Sequence, residues 1–254
     1  MINDNKNTSL AEQVKQAYEK LFIKILVYSE AYIFVLEGSV ESANKLIEIA
    51  KTNATTSSQE LDKNTIQASY LRLNKLLSQH NTNANEYFRS VLFIDLISST
   101  EAFFAEIIKA VVAVYPQKIG KTQFELKDIV ETTSLNDLIQ RAADEYVYKL
   151  MYEKPEDYLE KICTTLSIDK NLIQTNWSTY IEAKARRDLG VHNNWKCNKT
   201  YLRKLDSQKI KYTCKEGETL MPIDREYCSQ TSNKILEICK TMTSAVIEKH
   251  GKQD

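Results

Sequence analysis

An all-α fold is what this sequence predicts, on three observations. The 254 residues contain only five glycines and three prolines, and a sheet protein of this size needs more turn residues than that. Apolar residues recur at steps of three and four over long stretches, as on the buried face of an amphipathic helix. The breaks between those stretches are short, polar and without period. The length fits one domain with an extension or two small domains, and either buries a proper core.

The elements follow in order. Leu10, Val14, Ala17, Leu21, Ile25, Tyr28, Tyr32 and Leu36 form one face of a long first helix. Gly38 interrupts it, and the pattern continues toward Ile49. The stretch "TNATTSSQ", 52–59, reads as a loop or linker, and a second helix follows over 61–79. "HNTNAN" then makes a break rich in N-cap side chains. The most apolar helix runs from Ala84 to Tyr115 and stops at Pro116. Weaker helical stretches cover 122–131 and 134–152, and Pro155 opens another at the first-turn position that proline favours. A helix starting near 172 carries Trp177, Ile181, Ala185 and Leu189 as a buried ridge. "KCNKTYLRKL" gives a short helix, and "KIKYTCKEGETLMPI" is the one candidate for a hairpin. A last helix runs from Asp224 to His250, and there is no internal repeat or low-complexity tract.

Lysine plus arginine equals aspartate plus glutamate, 34 each. The whole chain is therefore no polycation, and nucleic-acid binding would need a local patch. Residues 181–211 supply one, with nine Lys/Arg against three acids. A solvated helix face is the plain alternative. The five cysteines are odd in number and show no CxxC spacing, which fits free thiols in a reducing compartment. Neither Cys nor His shows zinc-ligand spacing, so no metal and no cofactor is expected. "MINDNKNTSLAEQV" lacks the apolar core of a signal peptide. "LFIKILVYSEAYIFVLEG" is short and holds Lys24 and Glu30, so it reads as a buried helix and not a membrane span. A cytoplasmic location is the expectation.

The stretch "ARRDLGVHNNW", 185–195, concentrates the chemistry. Arg187 and His192 are five apart, about 140° around a helix. Gly190 lies between them, and a helix that loosens there would bring both side chains to one mouth. Asp188 and His192 are four apart and share a face, so the carboxylate is placed to hold the imidazole in one tautomer. Asn193 and Asn194 read as a helix stop or as donors to a phosphate. These are the tools for cutting RNA without a metal. Histidine moves protons near neutral pH, and arginine grips phosphate in a fork and stabilises the charge that grows there. His80 lies in a polar break and His250 near the C-terminal end, leaving one suitable imidazole per chain. A reaction that needs both a base and an acid then favours two chains meeting at a twofold axis.

The bare spacing of Arg and His is weak, since a chance match is expected in roughly one such chain in four. The wider context is more specific. "EAKARRDLGVHNN" followed by "NKTYLRKL" resembles the signature of the HEPN superfamily, with Arg187, Asp188, His192, Asn193, Tyr201 and Leu202 at the matching positions. "ISSTEAFFAEII", 97–108, resembles the family's upstream helix, which often carries a glutamate, here Glu101. Gly190 departs from the pattern, which usually has a bulkier residue. The resemblance spans roughly 84–250. It implies a helical bundle of HEPN type over 61–254, with 1–60 as an added N-terminal helical segment. It also implies a metal-independent ribonuclease of the toxin, abortive-infection or antiviral kind, working as a homodimer and leaving a 2′,3′-cyclic phosphate and a 5′-hydroxyl. An antitoxin or other regulatory protein would be a partner.

Glu101 also stands out on its own. It falls within the apolar row Ile94, Ile97, Phe104 and Ile108, where an unpaired carboxylate is expensive. It needs a cation, Arg187 or Arg186, either as part of a site or as an ion pair tying two core helices. Arg186 is a phosphate contact or the motif arginine at six-residue spacing. Lys184, Lys196, Lys199 and Arg203 are placed to track an RNA backbone or to be solvated surface. Tyr201 and Trp195 stack on bases or pack in the core. Beside the nuclease stand two further readings: a non-catalytic helical adaptor that binds a partner protein or a nucleotide, and a nuclease held in check by its own N-terminal helices.

Overall fold

The computed structural model describes residues 8–36, 84–120, 132–221 and 224–250, with isolated positions within 72–79 and at 129. Seven helices fill most of these residues: α1 (Leu10–Leu36), α2 (Ala84–Val114), α3 (Leu135–Met151), α4 (Pro155–Leu166), α5 (Asn171–Asn193), α6 (Lys199–Ser207) and α7 (Arg225–His250). Among the described residues there is no strand, only one isolated antiparallel bridge between Lys196 and Thr219. The chain is all-α, as its scarce turn residues and its periodicity demand. The expected stretches 37–49 and 122–131, and most of 61–79, lie outside the described residues. Arg72, Lys75, Leu76 and Ser78, within the last of these, are helical.

Local chemistry sets the boundaries. Pro116 ends α2 and opens a single 3-10 turn, Pro116–Ile119. Ser134 caps α3 by accepting from the Asp137 N–H at 3.2 Å, and Asn198 caps α6 by accepting from the Tyr201 N–H at 2.9 Å. Pro155 stands at the start of α4, which Ser167 stops in the left-handed region.

Four long helices pack in a closed circuit. α1 lies against α2 and α7, and α5 lies against the same two. α3 and α4 cover the outside of α2, and α6 covers α5. The first helix is not an appendage: Leu10, Val14, Ala17, Leu21, Ile25 and Tyr28 are all buried in the same core as α2, α5 and α7. Each large apolar side chain so buried contributes about 1.5–3 kcal/mol.

The α5 ridge is buried throughout but serves two layers. Trp177 and Ile181 join the main core, while Ala185 and Leu189 join a smaller one with Tyr201 and Leu205 of α6. A step of four residues advances about 40° past a full turn, so the ridge winds from the bundle core toward α6. The stretch 209–221 forms no hairpin. Its end returns to the residues after α5, where Cys197 N–H donates to Glu218 O at 2.8 Å and Leu220 N–H to Trp195 O at 2.8 Å. Ile210, Cys214 and Leu220, each partly buried, pack against the small core, so the segment is a loop laid on that core and not a free ribbon.

Candidate functional site

The C-terminal half of α5 divides its polar residues between two sides. On one side, Glu101 of α2 faces Lys184 and Arg187. Lys184 Nζ donates to Glu101 Oε1, and Arg187 Nη2 donates to Glu101 Oε2. The three side chains are 16–18% exposed. Ile97, Phe104 and Ile108 around Glu101 are fully buried, so the two cations offset a desolvation cost that the carboxylate alone would not bear. Lys184 also lies over the buried Tyr158 ring, 5.4 Å from its centroid.

The network continues along α5. Asp188 Oδ1 lies 3.6 Å from Arg187 Nε, and Asp188 Oδ2 accepts from Lys204 Nζ of α6 at 3.0 Å. Charges thus alternate from Lys184 through Glu101, Arg187 and Asp188 to Lys204, three cations to two anions. The buried Arg187 Nε has no hydrogen-bond partner. All five residues line one cavity of about 800 Å³.

His192 lines the same cavity and is exposed. Its side chain makes no hydrogen bond or ion pair with another described residue; Asp188 instead faces Lys204 and Arg187. α5 also stays unbroken through Gly190 to Asn193, so no loosening brings Arg187 and His192 together. They share the cavity because it runs along the helix, wide enough to span a separation of about 140° and 7.5 Å. Gly190 has another purpose. A Cβ there would stand 2.5 Å from the Trp195 ring, so only glycine lets the indole lie flat on α5. Asn194 and Trp195 both adopt left-handed conformations, φ 49° and 61°, which fold the chain back sharply enough to lay Trp195 there. Trp195 is thereby buried, with Phe93 beside it.

The other side of α5 is closed. Glu182 accepts from Arg186 Nε at 2.8 Å, from Tyr201 OH at 2.6 Å and from Tyr227 OH at 2.7 Å. The Arg186 guanidinium lies 4.1 Å from the centroid of the Tyr227 ring. Burial opposes its charge, but Tyr227, Glu182 and Tyr201 outweigh that and hold it protonated above the usual arginine range. Burial, and then the Glu182 charge, push both tyrosine hydroxyls above their ordinary value. Arg186 does not line the cavity, and Tyr201 reaches it only as a buried wall.

The remaining candidates are scattered. Lys196, Lys199 and Arg203 are exposed but outside the cavity lining. Asn193 turns its amide to Lys196 O at 2.5 Å, fastening the turn after α5. His250 is buried, with Nε2 3.0 Å from Leu166 O and its ring against Tyr115, and His80 lies outside the described residues. Sequence reasoning missed Lys204 as a member of the network, and the cavity residues Tyr148, Tyr152 and Tyr158. A signal existed for the first two tyrosines. They are four apart, Tyr148 on α3 and Tyr152 at its C-cap, and out of phase with the buried residues Ala143, Val147 and Leu150.

Among the described residues no group of His, Cys, Asp or Glu is arranged to hold a metal ion, and no helix is long and apolar enough to cross a membrane. Comparison with family models, curated proteins and solved structures finds no match.

Proposed function

We propose that this chain is a metal-independent endoribonuclease of HEPN type, with an active site completed by a second copy of itself. One observation carries the reading: an exposed imidazole, His192, opens on the cavity that Arg187, Lys184 and Lys204 line. Arg187 is held by Glu101 and Asp188 at fixed positions, so its fork is aimed before any phosphate arrives. The phosphate then competes with two carboxylates for the guanidinium. One His192 takes the proton of the 2′-hydroxyl and the His192 of the second copy returns one to the leaving 5′-oxygen. Attack of the 2′-oxygen on phosphorus leaves a 2′,3′-cyclic phosphate and a 5′-hydroxyl. In a cell such an activity suits a growth-arresting toxin or an antiviral effector, restrained by a partner protein.

A second reading has its own support. Phe22, Ile23, Leu26 and Val27 stand exposed along α1, and such a row on a helix suits a docking partner. In that reading the chain is a non-catalytic adaptor and the Glu101 network is structural.

The test is cleavage of a single-stranded RNA in EDTA by purified wild type, His192→Ala and Arg187→Ala. The nuclease reading expects cyclic-phosphate ends from wild type and a rate lower by about 10²- to 10⁴-fold in the histidine variant. Equal cleavage by all three, or none by wild type, leaves the adaptor reading.

A further inference from the structure

Tyr148 and Tyr152 are 65% and 76% exposed, among the most exposed large side chains described. They lie side by side at the end of α3, ring centroids 5.0 Å apart and tilted by 55°. Neither hydroxyl bonds another described residue, and α3 is anchored by Ala142, Ala143, Val147 and Leu150 instead. The fold gains little from two exposed phenol rings. Both line the cavity that holds Arg187 and His192.

We infer that Tyr148 and Tyr152 form a stacking platform for a nucleobase whose phosphate lies at Arg187 and Lys204. This rests on reading the cavity as an RNA site. The cavity supports it by its size and polarity. A volume of about 800 Å³ is more than a phosphate needs and lies in the range of pockets that take larger organic ligands. The cations come from α5 and α6, and the aromatic faces from α3. The two acids that line the cavity beside the tyrosines are each paired with a lysine, Asp144 with Lys109 and Glu153 with Lys161, so neither presents a bare carboxylate to a nucleotide. The two rings touch, so a base lies on their outward faces and not between them. The pair also fills a gap: Tyr201 and Trp195, the aromatic residues nearest the motif, are buried at 3% and 4% exposure and have no free face.

The experiment measures fluorescence anisotropy of a labelled RNA octamer with His192→Ala protein, which under the nuclease reading cuts too slowly to disturb the binding measurement. Tyr148→Ala/Tyr152→Ala in that background should bind about 5- to 100-fold more weakly, the usual worth of a base–aromatic stack. Tyr148→Phe/Tyr152→Phe should stay within about threefold, since the ring faces remain. An abasic octamer should bind the parent weakly and lose nothing further on the alanine changes. A free nucleoside monophosphate is the other source of the same chemistry. If it binds with the same tyrosine dependence while the octamer does not, the platform stands and takes a free nucleotide. Unchanged affinity in the alanine pair, equal binding of the abasic strand, or no binding of either ligand overturns it. So does loss of dimer, seen by sedimentation, in step with loss of binding. The nuclease reading fails separately: tyrosine-dependent binding with no cleavage by wild type sinks the reading and leaves the platform.

Discussion

Arg186 and Arg187 are neighbours on one helix, and each faces a glutamate, yet the two pairs are built differently. Glu182 is saturated by one guanidinium and two phenol hydroxyls drawn from α5, α6 and α7. Its arginine is stacked on Tyr227 and has no cavity before it. Glu101 is met by cations alone, and the charge they carry beyond its own borders open space. Neutral donors turn a glutamate–arginine pair into a staple. Cations that border a cavity leave the same kind of pair open on one side. Residue type does not separate the two cases, but the partners of the carboxylate do.

The largest expected effect breaks the staple. Glu182→Ala leaves Arg186 without its anion and two buried hydroxyls without an acceptor, and should cost about 3–5 kcal/mol in chemical denaturation. A loss below about 1 kcal/mol would mean Glu182 is no keystone. Arg187→Ala should do the reverse. Lys184 remains on Glu101, so stability falls by less than about 2 kcal/mol, while RNA cleavage falls by about 10²- to 10³-fold. Wild-type cleavage with a protein as damaged as Glu182→Ala would erase the distinction between the two sides.

Gly190→Ala sharpens the comparison from between them. Its Cβ collides with the Trp195 ring, and such overpacking typically costs about 1–3 kcal/mol. The turn after His192 must shift, so activity should drop more than stability explains. A neutral result in both thermal melting and cleavage would show that Trp195 moves aside freely.

The smallest effect is a pH dependence of the closed side. Tyr201 and Tyr227, and near the cavity Tyr158 and Tyr180, are pushed above the ordinary tyrosine value of about 10, mainly by burial. The folded chain keeps these protons at a pH where the unfolded chain releases them. Their contribution is therefore complete below pH 10 and shrinks as pH rises beyond it. Melting temperature should not fall on their account between pH 7 and 9 and should fall progressively above 10, with phenolate absorbance from these residues appearing only on unfolding. Phenolate absorbance from all fourteen tyrosines in the folded state at pH 11 would contradict this.

Much of the fold could be read from the sequence because helices announce themselves locally. The face from Leu10 to Tyr28, the stop at Pro116 and the start at Pro155 are each set by neighbours three or four residues away. The need of Glu101 for a cation was legible for the same reason, as an acid in an apolar row. The choice of Arg187 over Arg186 was not, because it depends on Tyr227, 41 positions further on, claiming Arg186. Gly190 reads as a weak point in a helix, and its reason appears only once two left-handed residues lay Trp195 against it. Tyr148 and Tyr152 carry a spacing signal, but nothing local says that their exposed face borders the cavity.

The most direct test of the central claim is the rate of RNA cleavage in EDTA as wild-type protein is serially diluted and its oligomeric state is followed by sedimentation. If two His192 side chains must meet, activity per chain falls in step with the dimer fraction followed by sedimentation. Activity per chain that stays constant while the protein becomes monomeric would contradict the composite site.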